Sequence, residues 1–309
     1  MGIKPTAGVN FRAPAWFGRD AGIIGTPGGF PMSLRHRLGL LLAAALLAAT
    51  ARAAEPGAPV EHPQDFIDVY AREVDRRLAL PAAEQQAYGD RLVAAFAAAG
   101  VALAQPQWVL LVDRSEHVQA AMLWWVAPGG YVGLVGASPV STGQPGRFEH
   151  FETPTGVFAH SLANPDYRAE GTRNANGIRG YGVKGLRVFD FGWVPAPRGW
   201  GTPGTQPMRL QVHATDPDRL EPRLGERESK GCIRIPATLN TLLDRHGVLD
   251  ADYEAAAAAG RAPGVLRPDR TPTAWPGRWL VVVDSGRHAR PPWAPLPGQA
   301  PPPDDVLTC

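Results

Sequence analysis

Trp108-Val109-Leu110-Leu111-Val112, Met122-Leu123-Trp124-Trp125-Val126 and Tyr131-Val132-Gly133-Leu134-Val135 are three short apolar runs, each bounded by Asp, Pro or Gly. Runs of this length, rich in branched and aromatic residues and closed by turn formers, read as strands, and their close succession predicts an antiparallel meander. Further strand-like runs lie outward of it at Gly156 to His160, Leu186 to Phe191, Met208 to His213 and Trp279 to Val283. Thr238 to His246 reads as a helix after Pro236. Upstream, Phe66, Ile67, Val69, Tyr70, Val74 and Leu78 recur on one helical face, and Pro81 divides that pattern from Leu92, Val93 and Phe96. The period thus changes from helical to extended near residue 107. The expected fold class is mainly β, with an N-terminal helical segment and a short helix late in the chain. In Trp124-Trp125, alternation sets the two rings on opposite faces; an exposed ring could stack on a glycan, but core packing is the preferred reading.

The chain has 309 residues, 44% of them hydrophobic, with nine Trp, which is enough apolar surface for a folded core. Its 35 Gly and 32 Pro point to short elements separated by many turns and argue against long-helix bundles. A formal charge of +2 gives no indication of nucleic acid. The charge is uneven, however: residues 1–53 hold six basic residues and one acid, so the remainder is net negative. Within that segment Arg35-His36-Arg37, the apolar run Leu38 to Ala49, and Ala51-Arg52-Ala53 follow the order of a secretory signal. The expectation is a signal peptide over 32–53, with 1–31 read as translation from an upstream start before Met32. The protein should then lie in a periplasm or outside the cell, with no integral membrane span after signal cleavage. The other expected divisions are a helical segment over 54–106, a catalytic domain over 107–250, and an extension over 251–309 with one strand and a Pro-rich tail. Of the two cysteines, Cys309 ends the chain and Cys232 lies inside a patterned segment, so no disulfide framework is expected.

Ser229-Lys230-Gly231-Cys232-Ile233-Arg234 is the sharpest chemical feature, and it follows Leu210-Gln211-Val212-His213, a strand that ends in an imidazole. A thiol becomes a strong nucleophile when a nearby histidine takes its proton. Gly231 permits a tight turn in which backbone N–H groups converge on an oxyanion, and the charges of Lys230 and Arg234 are expected to lower the thiol pKa. From spacing alone, a buried structural cysteine beside an unrelated histidine fits as well. No second Cys or close His pair supplies a metal site, and no cofactor is expected. His117, His150, His160, His246 and His288 have no motif partner and read as surface or structural residues. The long Gly-, Arg- and Asn-rich section from Arg168 to Gly185 reads as a loop lining or covering a site.

A strand ending in His followed by Ser-x-Gly-Cys-Ile-Arg resembles the signature of the L,D-transpeptidase catalytic domain, also called YkuD. Ser141-Thr142-Gly143 and Thr153-Pro154-Thr155-Gly156-Val157-Phe158 resemble the upstream strand and turn of the same family, so the resemblance covers about residues 107 to 236. It implies a β-sandwich catalytic domain that acts on the peptide stems of peptidoglycan without a cofactor, joining stems by 3→3 cross-links or attaching a protein acceptor. In that reading Cys232 is the nucleophile and His213 the base. The Ala214 carbonyl holds the imidazole tautomer, and N–H groups of Lys230, Gly231 and Cys232 are oxyanion-hole candidates. Ser229 and Arg234 are candidates for binding substrate. Lys230 stands where the family commonly has His, and Ala214 where it commonly has Gly or Ser. The alternatives are a carboxypeptidase or endopeptidase on the same scaffold and a non-catalytic wall-binding protein. A papain-like protease fits less well, because the Cys follows the His.

Overall fold

The computed structural model describes residues 63–298. The signal-peptide and upstream-start expectations, Cys309 and the end of the Pro-rich tail lie outside the described residues. Two helices lead, α1 (Asp65–Glu73) and α2 (Ala82–Ala98). Asp65 and Asp68 in the first turn of α1 and Arg72 in its last complement the helix dipole. The apolar pattern outruns the helix. Val74 is already extended, and Leu78 lies beyond the helix, donating its N–H to the Ala137 carbonyl. Pro81 caps α2 at its N-terminus, where a missing N–H costs nothing, and Gly100 ends it at φ +66°.

The meander follows as β1 (Gln107–Asp113), β2 (Ala120–Ala127) and β3 (Tyr131–Pro139), antiparallel throughout. The later strands are β4 (Gly156–Ala159), β5 (Tyr167–Arg168), β6 (Arg187–Pro197), β7 (Thr205–His213), β8 (Ile233–Arg234) and β9 (Trp279–Val283). Two helices, α3 (Ala237–Arg245) and α4 (Ala251–Ala258), separate β8 from β9. The strands form a five-stranded sheet in the order β3-β2-β1-β9-β4 and a four-stranded sheet in the order β5-β6-β7-β8. The fold is mainly β, a sandwich with helices added.

Side chains divide by strand parity. Trp108, Leu110, Val112, Leu123, Leu280 and Val282 share one core with Phe189, Leu210, Val212 and Ile233 of the second sheet. Val109, Leu111, Met122, Trp124 and Val281 point the other way and pack with Tyr88, Leu92 and Phe96 of α2. The first sheet is therefore buried on both faces, which is why β1 and β2 read as continuous apolar runs instead of alternating ones. α1 and α3 join the first core, where the Phe66 ring stacks on Trp108 at 4.8 Å.

Two differences from the sequence reading have physical causes. Residues beyond 250 are more than an extension, since β9 inserts between β1, to which it is parallel, and β4, to which it is antiparallel. Pairing across so long a sequence interval leaves no local signature. The Ala-rich α4 escapes a periodicity search because its apolar residues show no stripe, although Tyr253 and Ala256 are buried. Core packing, the preferred reading of Trp124-Trp125, holds for both rings: Trp124 is buried, and Trp125 packs between Trp108 and Trp275 at 4.7 and 4.9 Å.

Candidate active site

β7 and β8 run parallel, with Val212 opposite Ile233 and His213 opposite Arg234. Val212 and Ile233 point into the core. By alternation, Gln211 and His213 on one strand share the opposite face with Cys232 and Arg234. That face borders a cavity of about 780 Å³ whose wall includes Cys232, Gln211, Arg209, Tyr167, Tyr181 and Trp200.

The Cys232 turn is braced by the two upstream motifs. The Thr142 carbonyl accepts the N–H groups of Glu228 and Ser229, and Ser141 bridges Arg234. Thr153 Oγ1 accepts the Gly143 N–H at 2.8 Å and donates to the Gly231 carbonyl at 2.7 Å. Gly231 has φ +131°, and a Cβ there would sit 2.1 Å from Met208 Sδ; at Gly143 a Cβ would meet the Phe151 carbonyl oxygen at 2.0 Å. The backbone approach excludes a side chain at Gly143 and the positive φ disfavours one at Gly231, so the two glycines let the turn and its brace close together.

Two sequence expectations fail within this turn. Ser229 is buried. Its Oγ accepts the Gly231 N–H at 3.0 Å and donates to the Cys232 carbonyl at 2.6 Å, so it braces the loop and does not face a substrate. The Gly231 N–H, expected in an oxyanion hole, is thereby occupied. Lys230 is exposed, with Nζ 3.3 Å from Glu149, and Arg234 lies beside Glu228 at 3.8 Å, outside the cavity wall.

His213 is buried, and its Nδ1 makes a 2.5 Å hydrogen bond to the Ala214 carbonyl. A carbonyl can only accept, so Nδ1 carries the proton and Nε2 keeps its lone pair. Burial, aided by the Arg234 charge and opposed by the Ala214 bond, lowers the imidazole pKa to about 4. Burial likewise pushes the Cys232 thiol up to about 11; Asp190 adds to this, while a hydrogen bond from Gln211 and the Arg234 charge only partly offset it. The expected acidic thiol is therefore not found: desolvation outweighs Arg234, and Lys230 faces Glu149. At neutral pH the pair is thiol and neutral imidazole. The Cys232 sulfur lies 3.7 Å from the Arg209 carbonyl oxygen and 3.9 Å from Gln211 Oε1.

Several site residues escaped the sequence reading. Gln211 Nε2 donates to buried Asp190 at 2.8 Å and to the Tyr167 hydroxyl at 3.2 Å, and its Oε1 accepts the Tyr181 hydroxyl at 3.2 Å. The Tyr181 ring lies edge-on to His213 with centroids 4.6 Å apart, so the loop from Arg168 to Gly185 reaches the imidazole. The polar-apolar alternation of Arg209-Leu210-Gln211-Val212-His213 was the available signal for Arg209 and Gln211.

A separate cluster lies beneath. Ligand atoms of His160, Asp166 and Asp250 fall within 4.8 Å of one another, the spacing of a cation site. They are already engaged: His160 bonds the Leu249 carbonyl and Asp166, each at 2.8 Å, and Arg187 is paired with Asp166, Asp244 and Asp250. Protein cations fill the positions that a metal would take.

Residues 107–252 match the family model of the L,D-transpeptidase catalytic domain, YkuD. Over those residues the chain is similar to the YkuD L,D-transpeptidase family, a family that acts on peptidoglycan. The match stops short of β9, the strand that completes the first sheet. No curated protein matches the chain. Among the described residues no helix is long and apolar enough to cross a membrane.

Proposed function

We propose that the protein is an exported cysteine acyltransferase that joins peptidoglycan peptide stems by 3→3 cross-links through a thioester on Cys232. The observation that carries this reading is that β7 ends at His213 while its parallel neighbour β8 begins one residue after Cys232, which lines a cavity of about 780 Å³. The Ala214 carbonyl serves as the third member, fixing the imidazole tautomer as a carboxylate or amide does in other Cys/His enzymes.

Because both groups are neutral, attack and proton transfer proceed together. His213 Nε2 takes the thiol proton as the sulfur adds to the carbonyl between the third stem residue and a terminal D-alanine. With the Gly231 N–H occupied, Lys230 and Cys232 are the turn residues left to donate to the oxyanion. Collapse of the adduct breaks the C–N bond, and the imidazolium returns its proton to the departing amine. An amine from a second stem then attacks the thioester, losing its proton to His213 and restoring the thiol. Tyr181 must move for substrate to reach the imidazole, so the loop from Arg168 to Gly185 acts as a lid; deleting it would leave activity unchanged if this were wrong. The signal-like segment over 32–53 supports a periplasmic or extracellular site of action.

Mass spectrometry of muropeptides incubated with the protein tests the proposal. Loss of D-alanine with a new 3→3 dimer, absent with Cys232→Ala, is expected. Tripeptide monomers alone would identify water as the acceptor, and unchanged muropeptides would refute the reading.

A further inference from the structure

Arg209 is the cation of the cavity wall whose donors are least engaged. Lys230, the other cation there, is drawn to Glu149. The Arg209 Nε lies 2.7 Å from Asp190 Oδ2, and Asp190 is fully buried. That carboxylate is itself fixed, by the Gln211 amide at 2.8 Å and by the Gly192 N–H at 2.8 Å. Asp190 in turn donates its own N–H to Asp166, within the buried ionic cluster, at 2.9 Å. One edge of the guanidinium is thus pinned from beneath. Its two terminal nitrogens make no hydrogen bond among the described residues, and the side chain is 43% exposed. The Arg209 carbonyl meanwhile touches the nucleophile at 3.7 Å.

A guanidinium held at Nε presents its Nη pair as a fork, the geometry that binds a carboxylate through two parallel hydrogen bonds. We infer that Arg209 is a specificity-determining residue that receives the terminal carboxylate of the amino acid released from the donor stem. The inference rests on the acyl-transfer reading above and refines it. The carboxylate of a departing terminal residue lies one residue beyond the scissile carbonyl, a reach of about 3.5 Å, and nucleophile and guanidinium share one cavity. Attack would then be confined to stems that end one residue past the scissile bond. A stem that is longer or capped offers no carboxylate at that point and leaves the fork unpaired.

The test compares acylation of the protein by a tetrapeptide stem with a free terminal carboxylate and by the same stem amidated at that carboxylate. The wild type is expected to favour the free acid in kcat/KM by roughly 10- to 100-fold, the range of a charge-assisted hydrogen-bonded pair. Arg209→Gln should erase the preference by slowing the acid alone, to within about 3-fold of the amide, while Arg209→Lys retains part of it. An unchanged ratio in Arg209→Gln, or a parallel fall with both stems, would overturn the assignment. If the wild type turns over neither stem, the acyl-transfer reading fails, and the fork is judged by alkylation of Cys232. There, the rate ratio of anionic iodoacetate to neutral iodoacetamide should drop in Arg209→Gln, and an unchanged ratio would refute an anion-binding Arg209. Matched melting curves for the variants separate either result from loss of fold.

Discussion

His160 and His213 are both buried, yet their surroundings shift their pKa values in opposite directions. Both ring nitrogens of His160 face acceptors, the Leu249 carbonyl and Asp166. Burial alone would lower its pKa, but the bond and charge of Asp166 and the charge of Asp250 outweigh burial and raise it. His213 has a single carbonyl acceptor and the Arg234 charge nearby, so burial wins and its pKa falls to about 4. Partners, not depth, decide whether a buried imidazole is a structural cation or a base with a free lone pair. The cluster around His160 sets Arg168, Arg187 and the His160 imidazole against Asp166, Asp244 and Asp250.

Exchanging the two histidines' fates is the strongest way to break this comparison. His213→Gln should slow acyl transfer by between about 100- and 10,000-fold, the usual worth of a general base. Its melting temperature at neutral pH should hardly move, since no charge is left unpaired. A variant with near-normal turnover would remove His213 from the chemistry. Arg187→Leu addresses the other region. It leaves Asp250 buried without its main counter-ion and Asp166 with His160 alone, and urea denaturation should register a loss of about 3–5 kcal/mol. A cost under about 1 kcal/mol would mean that the cluster is solvated or reorganises readily.

The pH dependence of stability sharpens the same contrast. The folded pKa of His213 lies below its ordinary value of 6.5. Between those limits the unfolded chain binds the extra proton, so stability falls as pH drops, by on the order of 3 kcal/mol from pH 6.5 to 4. His160 has the opposite sign. Its contribution is complete below pH 6.5 and is lost as pH rises through its elevated folded pKa. Comparing denaturation of the wild type and His213→Gln across this acid range should show a flatter profile for the variant. His160→Gln should flatten the alkaline side instead, and identical profiles for all three proteins would contradict both assignments.

How much of this was legible follows from where the information resides. The meander, the hairpin strands and α3 are local patterns, and each appears where its period and turn residues place it. The order His213, then Gly231-Cys232, marked the two chemical groups because adjacent parallel strands bring them to one face. The position of β9 depends on a partner far away in sequence and could not be read. The charge cluster was hidden for a related reason: Arg187 opens a mostly apolar strand, and its acids come from the β4–β5 connection, α3 and the turn after it. His160 carried no motif that distinguished it from a surface histidine. The thiol pKa was misjudged because sequence displays neighbouring charges but not desolvation, which here dominates.

The most direct test of the central claim is intact-protein mass spectrometry of the enzyme quenched during turnover of a tetrapeptide stem. A covalent adduct that adds the mass of the stem minus its released terminal amino acid, mapped to Cys232 and absent from Cys232→Ala, is the predicted result. Product formation with no such adduct, or an adduct that persists in Cys232→Ala, would contradict a thioester mechanism at this site.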